Sequence, residues 1–145
     1  VEEYDEAVHV SAPDELKRTS IKTLPYPGFP TDAQPVLMAA LLKSEGSTVF
    51  VENIFENRYR HVDELARMGA EIRVAGRVAV VTGRAALNGA SVKSTDLRGG
   101  AALVIAALDA QGYSRVANIE HIDRGYECIE RDLSLLGAEI RREDT

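Results

Sequence analysis

The chain has 145 residues, a formal net charge of −6 and a hydrophobic content of 45%. That length is enough for one domain with a buried core, and the acidic balance argues against a protein whose main partner is nucleic acid or an anionic membrane. No apolar run approaches the roughly 20 residues of a membrane span, and the first residues are acidic rather than leader-like. The single cysteine, Cys128, is typical of a reducing compartment, so we expect a cytoplasmic protein.

The first part of the chain predicts two short strands and a stiff connection. Residues 6–11 alternate as a strand does, and residues 21–23 form a second strand-like run. Residues 23–32 carry three prolines, a pattern that excludes a helix or a central strand. The acidic beginning without methionine leads us to expect a piece of a longer protein.

An apolar segment at residues 35–42 follows the prolines at once and predicts a buried helix that starts near Asp32 and stops at Gly46. Asp32 then has two interpretations. It is either the N-cap of this helix or a functional carboxylate held at the positive end of the helix dipole.

The next elements complete a unit of alternating strands and helices. Residues 47–54 are rich in β-branched side chains, which predicts a strand. An amphipathic helix follows and stops at Gly69, and residues 70–74 and 78–82 predict a hairpin.

The same order recurs in the second half of the chain. Asp96 follows Asp32 by 64 residues, and Arg124 follows Arg58 by 66. This register predicts two tandem copies of one strand–helix–strand–helix–hairpin unit within a single domain. The boundaries we expect are residues 1–22 for the end of a preceding repeat, 23–90 for the first copy and 91–145 for a truncated second copy. Buried helices wrapped by sheet give an α/β fold.

Polar side chains stand at the predicted starts of both apolar helices. If these helices lie side by side, their N-termini and several arginines share one end of the domain, which is how proteins hold a small anion. A carboxylate in that setting stays ionised and can accept a proton. For Asp96 the alternative is a helix cap paired with Arg98 or Arg124. His61 and His121 have either acid–base or structural roles.

No metal-ligand spacing, phosphate-binding loop or dinucleotide fingerprint is present in the sequence, so we expect neither a metal nor a cofactor.

Five motifs in chain order resemble the UDP-N-acetylglucosamine enolpyruvyl transferase family, whose members are also called UDP-N-acetylglucosamine 1-carboxyvinyltransferases. The resemblance covers the whole chain and corresponds to the C-terminal third of that family. It implies an inside-out α/β barrel built from βαβαββ units with buried central helices. The motifs are residues 27–32 (PGFPTD), 56–58 (ENR), 67–70 (RMGA), 96–100 (DLRGG) and 121–127 (HIDRGYE).

The resemblance also implies an activity and a set of site residues. These enzymes move the enolpyruvyl group of phosphoenolpyruvate to the 3′-hydroxyl of UDP-N-acetylglucosamine, release phosphate, and open the committed path to bacterial peptidoglycan. Asp32 matches the proposed general base. The other matches are Thr31, Ile54 and Phe55 at the nucleotide sugar, Arg124 at phosphoenolpyruvate, and Arg58, Asp96 and Arg98 in the cleft.

Several parts of the family pattern are missing from this sequence. The reactive cysteine loop of the family is absent, and Cys128 does not match it. Since the family's cleft lies between two domains, we expect the N-terminal part of the enzyme as a partner and no turnover by the isolated chain. The alternatives are the related shikimate 3-phosphate transferase, the more distant RNA-terminal-phosphate cyclase, and a binding module without catalysis.

Overall fold

A computed structural model describes residues 1–83 and 86–143. The strands are β1 (Glu2–Glu3), β2 (Val8–His9), β3 (Ser20–Lys22), β4 (Ser47–Val51), β5 (Glu71–Ala75), β6 (Val78–Thr82), β7 (Ser91–Lys93) and β8 (Arg115–Ala117). The α-helices are α1 (Gln34–Ala40), α2 (Val62–Arg67), α3 (Leu97–Asp109), α4 (Glu120–Asp123) and α5 (Ile129–Leu135). Two 3-10 turns, Thr31–Ala33 and Leu41–Lys43, flank α1.

The first half of the chain folds as β3-α1-β4-α2-β5-β6. Its sheet has the strand order β3-β4-β6-β5, in which β3 and β4 are parallel and the remaining pairs are antiparallel. Phe50 of β4 lies opposite Ala79 of β6, and neither side chain is exposed. Because side chains alternate across a strand, this register turns one face of the sheet to the helices.

The second half begins in the same way. Strands β7 and β8 are parallel neighbours on either side of α3 in the chain, and α4 and α5 follow. No strand follows α5 within the described residues. None of the α5 side chains is buried, and Leu135 is 81% exposed.

Helices α1 and α3 pack on each other more extensively than any other pair of helices described. Met38 and Leu42 from the first helical segment and Leu103 from α3 have no exposed surface. This confirms the predicted pair of central helices. Their burial is not complete on every side, because Ala40 is exposed and Leu108 is 45% exposed.

Several predicted boundaries were wrong. The strand predicted over residues 6–11 is only Val8–His9, and larger differences concern α1 and β4. Helix α1 ends at Ala40 and not near Gly46, since a 3-10 turn follows it. The backbone of Ser44 is extended, and its hydroxyl donates a hydrogen bond to the Leu41 carbonyl at 2.8 Å. Strand β4 ends at Val51 and not at residue 54, because Glu52 draws the next backbone amides away from the sheet.

Residues 24–30 of the proline-rich segment are neither helix nor strand, as predicted, whereas Thr31 and Asp32 begin a 3-10 turn. The Leu24 amide donates to the Phe29 carbonyl at 3.0 Å, which closes the segment on itself. The peptide bond between Tyr26 and Pro27 is cis. Among the described residues, no helix is both long and apolar enough to cross a membrane.

Candidate active site

Asp32 does not cap helix α1, so the capping interpretation was wrong. The helical segment starts earlier than expected, with Pro30 at the cap of the turn, and the Asp32 side chain makes no capping hydrogen bond. Its carboxylate binds two arginines instead. Oδ1 accepts from Nη2 of Arg58, and Oδ2 accepts from Nη2 of Arg98 at 2.6 Å.

These two arginines determine the ionisation of Asp32. Burial alone would raise the pKa of the carboxyl, but the hydrogen bonds and positive charges of Arg98 and Arg58 outweigh it, and the pKa lies below its ordinary value. The side chain is nevertheless 54% exposed. Asp32 is therefore an ionised and accessible carboxylate at neutral pH.

The two arginines are held differently. The Arg58 side chain is only 16% exposed, and its guanidinium lies 5.1 Å from the centre of the Phe55 ring. The Arg98 side chain is 36% exposed. Arg58 is thus fixed between an aromatic ring and a carboxylate, whereas Arg98 is more accessible to an incoming anion. Since Arg98 belongs to the first turn of α3, its pair with Asp32 also brings the starts of both central helices to one end of the domain.

Asp96 caps helix α3. Its Oδ1 accepts from the amides of Arg98 and Gly99 at 3.0 and 2.9 Å, and the Thr95 hydroxyl donates to Oδ2 at 3.1 Å. Burial would raise the pKa of this carboxyl, but the Gly99 amide, the Thr95 hydroxyl and the Arg98 amide lower it below its ordinary value. The capping half of the alternative is confirmed. The pairing half was wrong, because the Arg98 guanidinium reaches Asp32 and, among the described residues, Arg124 makes no ion pair with Asp96.

Arg124 lies at the end of α4, and its side chain is exposed. No hydrogen bond or ion pair holds that side chain within the described part of the chain. The neighbouring Gly125 lies against helix α3, since a methyl group there would come within 2.6 Å of Leu97 Cδ2. This contact places Arg124 beside the start of α3, the end that also carries Asp96 and Arg98.

Glu52 contacts three of the predicted site residues and was not itself predicted from the sequence. It is 1% exposed and accepts hydrogen bonds from the hydroxyls of Thr23 and Thr31 and from the amides of Ile54 and Phe55. One signal was available. Glu52 directly follows the apolar residues of β4, at a position where the second copy of the unit has alanine, and a buried carboxylate needs hydrogen-bond donors.

An open groove of about 590 Å³ joins several of the predicted residues. Ile54 and Phe55 contribute apolar surface that is 38% and 50% exposed. Thr31 is half-buried, and its hydroxyl points to Glu52. The groove is lined by Ile54, Phe55, Glu56, Asn57, Arg58, Arg60, Arg77 and Asp96. Ile54 and Phe55 form its apolar wall, and its three arginines outnumber its two carboxylates, so the surface suits an anionic ligand with an apolar face.

Neither of the two candidate histidines lines the groove. His61 has no exposed surface, and burial lowers its pKa to about 4 against the opposing charge of Asp96. It is therefore neutral and structural near pH 7. His121 is half-buried. Residues 1–83 and 86–143 contain no group of three metal-ligating side chains.

Comparison with known proteins gives a consistent result. The model of the EPSP synthase (3-phosphoshikimate 1-carboxyvinyltransferase) family matches residues 1–133. A UDP-N-acetylglucosamine 1-carboxyvinyltransferase of Caldanaerobacter subterraneus subsp. tengcongensis is 54% identical over 142 residues, which are 98% of this chain and 34% of that protein. One from Shouchella clausii is 51% identical over 144 residues, with 99% and 34% covered. The chain thus spans about a third of the length of these curated relatives.

A solved structure agrees with this result. The enolpyruvyl transferase NikO from Streptomyces tendae superposes with a TM-score of 0.83 at 30% identity, over 92% of this chain and 31% of that one. The superposition confirms the predicted enolpyruvyl transferase fold. The chain therefore belongs to the EPSP synthase family of enolpyruvyl (1-carboxyvinyl) transferases.

Proposed function

We propose that this chain is the C-terminal part of a UDP-N-acetylglucosamine 1-carboxyvinyltransferase. Such an enzyme transfers the enolpyruvyl group of phosphoenolpyruvate to the 3′-hydroxyl of UDP-N-acetylglucosamine and releases phosphate. The observation that carries the proposal is the 54% identity over 142 residues to a protein of that name. The enzyme would work in the cytoplasm, at the start of peptidoglycan synthesis, together with an N-terminal part that supplies the second wall of the cleft.

In this proposal Asp32 accepts the proton of the sugar hydroxyl while that oxygen attacks C2 of phosphoenolpyruvate. C2 gains the sugar oxygen, the C2–C3 double bond becomes single and C3 takes up one proton, which gives a tetrahedral phospho-ketal. Loss of a proton from C3 and of phosphate from C2 then restores the double bond in the product. The exposed, ionised carboxylate of Asp32 supports this role, since a general base must be unprotonated and within reach of the hydroxyl.

The arginines would serve the anionic substrate. A carboxylate clamped by two arginines is a weak base, because both cations lower its pKa. We propose that the phosphate or carboxylate of phosphoenolpyruvate draws the more exposed Arg98 away from Asp32, which strengthens the base when the donor is bound. Arg124 would complete the donor site, and its exposed side chain at the start of α3 supports this.

The acceptor would lie along Ile54 and Phe55. Their partly exposed side chains give a sugar ring an apolar surface to stack on. Thr31 would act through its backbone or through the position of Asp32, since its hydroxyl already binds Glu52. Asp96 would hold the start of α3, and with it Arg98, in place.

A hybrid enzyme tests this function. In the Caldanaerobacter relative, the segment that matches this chain is replaced by the corresponding residues of the chain, and phosphate release from phosphoenolpyruvate is measured with UDP-N-acetylglucosamine. We expect turnover with this acceptor and none with shikimate 3-phosphate. Asp32→Asn should lower kcat by about 10²- to 10⁴-fold, the range for loss of a general base.

The control is Asp63→Asn, which changes an exposed carboxylate outside the groove and should leave kcat unchanged. A hybrid that is folded but uses only shikimate 3-phosphate would move the assignment to the sibling reaction that gives the family model its name. Full turnover by the Asp32→Asn hybrid would remove Asp32 from the role of base.

A further inference from the structure

Glu52 is a buried carboxylate with hydrogen bonds to two segments of the candidate acceptor site. It is 1% exposed, and no cation pairs with it within residues 1–83 and 86–143. Burying a carboxyl group without a counter-charge is costly unless hydrogen bonds replace its water. Four hydrogen bonds offset this cost for Glu52, and they also fix the positions of the groups that donate them.

The two carboxylate oxygens of Glu52 accept hydrogen bonds from different groups. Oε1 accepts from the Thr23 hydroxyl at 2.9 Å, the Ile54 amide at 2.9 Å and the Phe55 amide at 3.1 Å. Oε2 accepts from the Thr31 hydroxyl at 3.0 Å. Backbone amides can only donate, so a side chain without an acceptor at this position would leave two donors unpaired.

Three of these donors belong to two segments of the candidate site. Thr31 directly precedes Asp32, while Ile54 and Phe55 form the apolar wall. A second set of contacts connects the same two segments, because Arg58 binds Asp32 and stacks on the Phe55 ring. Glu52 and Arg58 therefore link the same two segments, one from inside the domain and one from the surface.

We propose that Glu52 is a positioning residue for the acceptor site, which sets the distance between Asp32 and the backbone of Ile54 and Phe55. This inference rests on the proposed function, since only there do the two segments bind the same sugar. Glu52 touches no substrate in this arrangement. It acts through Thr31 on the base and through two amides on the sugar wall.

The test uses the hybrid enzyme with Glu52→Ala, Glu52→Gln and Thr31→Val. Glu52→Ala leaves two amides unpaired and should raise the KM for UDP-N-acetylglucosamine about tenfold, with the KM for phosphoenolpyruvate changed less than about threefold. Glu52→Gln keeps Oε1 as acceptor, and its amide can donate to Thr31, so its KM should stay within about threefold of the parent. Thr31→Val loosens only the Asp32 side and should lower kcat about tenfold.

Glu64→Ala is the matched control, because Glu64 is another shielded carboxylate, 15% exposed, and it accepts the Lys93 amide at 2.8 Å outside the groove. It should lower stability and leave both KM values unchanged. If Glu52→Ala does not fold, Glu52→Gln and Thr31→Val still decide the question.

Equal rises in both KM values, or an unchanged kcat in Thr31→Val, would overturn the positioning role. A parent hybrid without any phosphate release contradicts the proposed function instead, so the two failures are distinguishable.

Discussion

His61 shows how strongly burial acts on a single residue of this domain. Its ring has no exposed surface, and burial lowers its pKa from an ordinary 6.5 to about 4. Between these pH values the unfolded chain binds a proton that the folded chain does not. The free energy of unfolding should therefore fall as the pH drops from 6.5 towards 4, by at most about 3 kcal/mol for this residue.

Urea unfolding measured at several pH values tests this prediction. His61→Asn should be less stable at pH 7, and its stability should depend less on pH over that interval. The control His9→Asn changes a histidine whose side chain is 64% exposed and should keep the parent's pH dependence. An equally steep dependence in His61→Asn would assign the effect to other groups.

For single residues, the sequence predicted which side chains lie close together better than it predicted the hydrogen bonds that each one makes. The repeated Asp–Arg spacing correctly predicted that Asp32 and Arg98 lie at one end of the domain. It misassigned the caps, because the side chain of Asp96 turns onto its own helix while that of Asp32 turns away from it. The rotamer that makes this choice depends on tertiary partners 26 and 66 residues away. Glu52 escaped notice for the same reason, since its donors are distributed over a loop and two threonines.

Among the elements, helix α3 depends on its cap. Asp96 accepts two amides of the first turn, and replacing such a cap by alanine costs about 1 kcal/mol. Asp96→Ala should therefore lower the free energy of unfolding by about that amount, while Asp96→Asn should retain most of it, since asparagine caps nearly as well.

Denaturant unfolding checks this prediction. Asp63→Ala is the control, because Asp63 is an exposed acidic residue in the first turn of α2 and makes no capping bond. Equal losses in both alanine variants would mean that charge near a helix start, and not the cap, accounts for the stability. Because the cap also holds Arg98, the hybrid enzyme with Asp96→Ala should lose activity as well.

Elements with strong periodicity were predictable and their ends were not. The hairpin of β5 and β6 and the central helix α3 follow from alternation and from an apolar run in the sequence. The end of α1 depends on one hydroxyl of Ser44, and the end of β4 depends on Glu52. Such side-chain bonds to the backbone leave no periodic trace in the sequence.

The molecule as a whole presents an open site. Asp32 is more than half exposed, and the groove beside it opens to solvent. Charge stabilisation of a transferring group is strong only where water is excluded. We expect the 145-residue chain alone to release phosphate at less than about a thousandth of the rate of the hybrid enzyme.

Phosphate release by the two proteins at equal concentration measures this difference. A binding titration with UDP-N-acetylglucosamine, followed by NMR of the backbone amides, separates lost binding from lost chemistry. Shifts at Thr31, Asp32, Ile54 and Phe55 without turnover would mean that the acceptor wall is formed and only the opposite wall is lacking. Turnover by the chain alone at the hybrid's rate would contradict the requirement for two walls.

The closed proline segment has a practical consequence for spectroscopy. Its two ends, Thr23 and Thr31, are tied to the same carboxylate, while Tyr26 at its tip is 97% exposed. Changes at the tip are therefore mechanically separated from Asp32 by two anchored ends. A fluorophore attached through Tyr26→Cys would therefore label the domain at an exposed turn without replacing any residue that lines the groove.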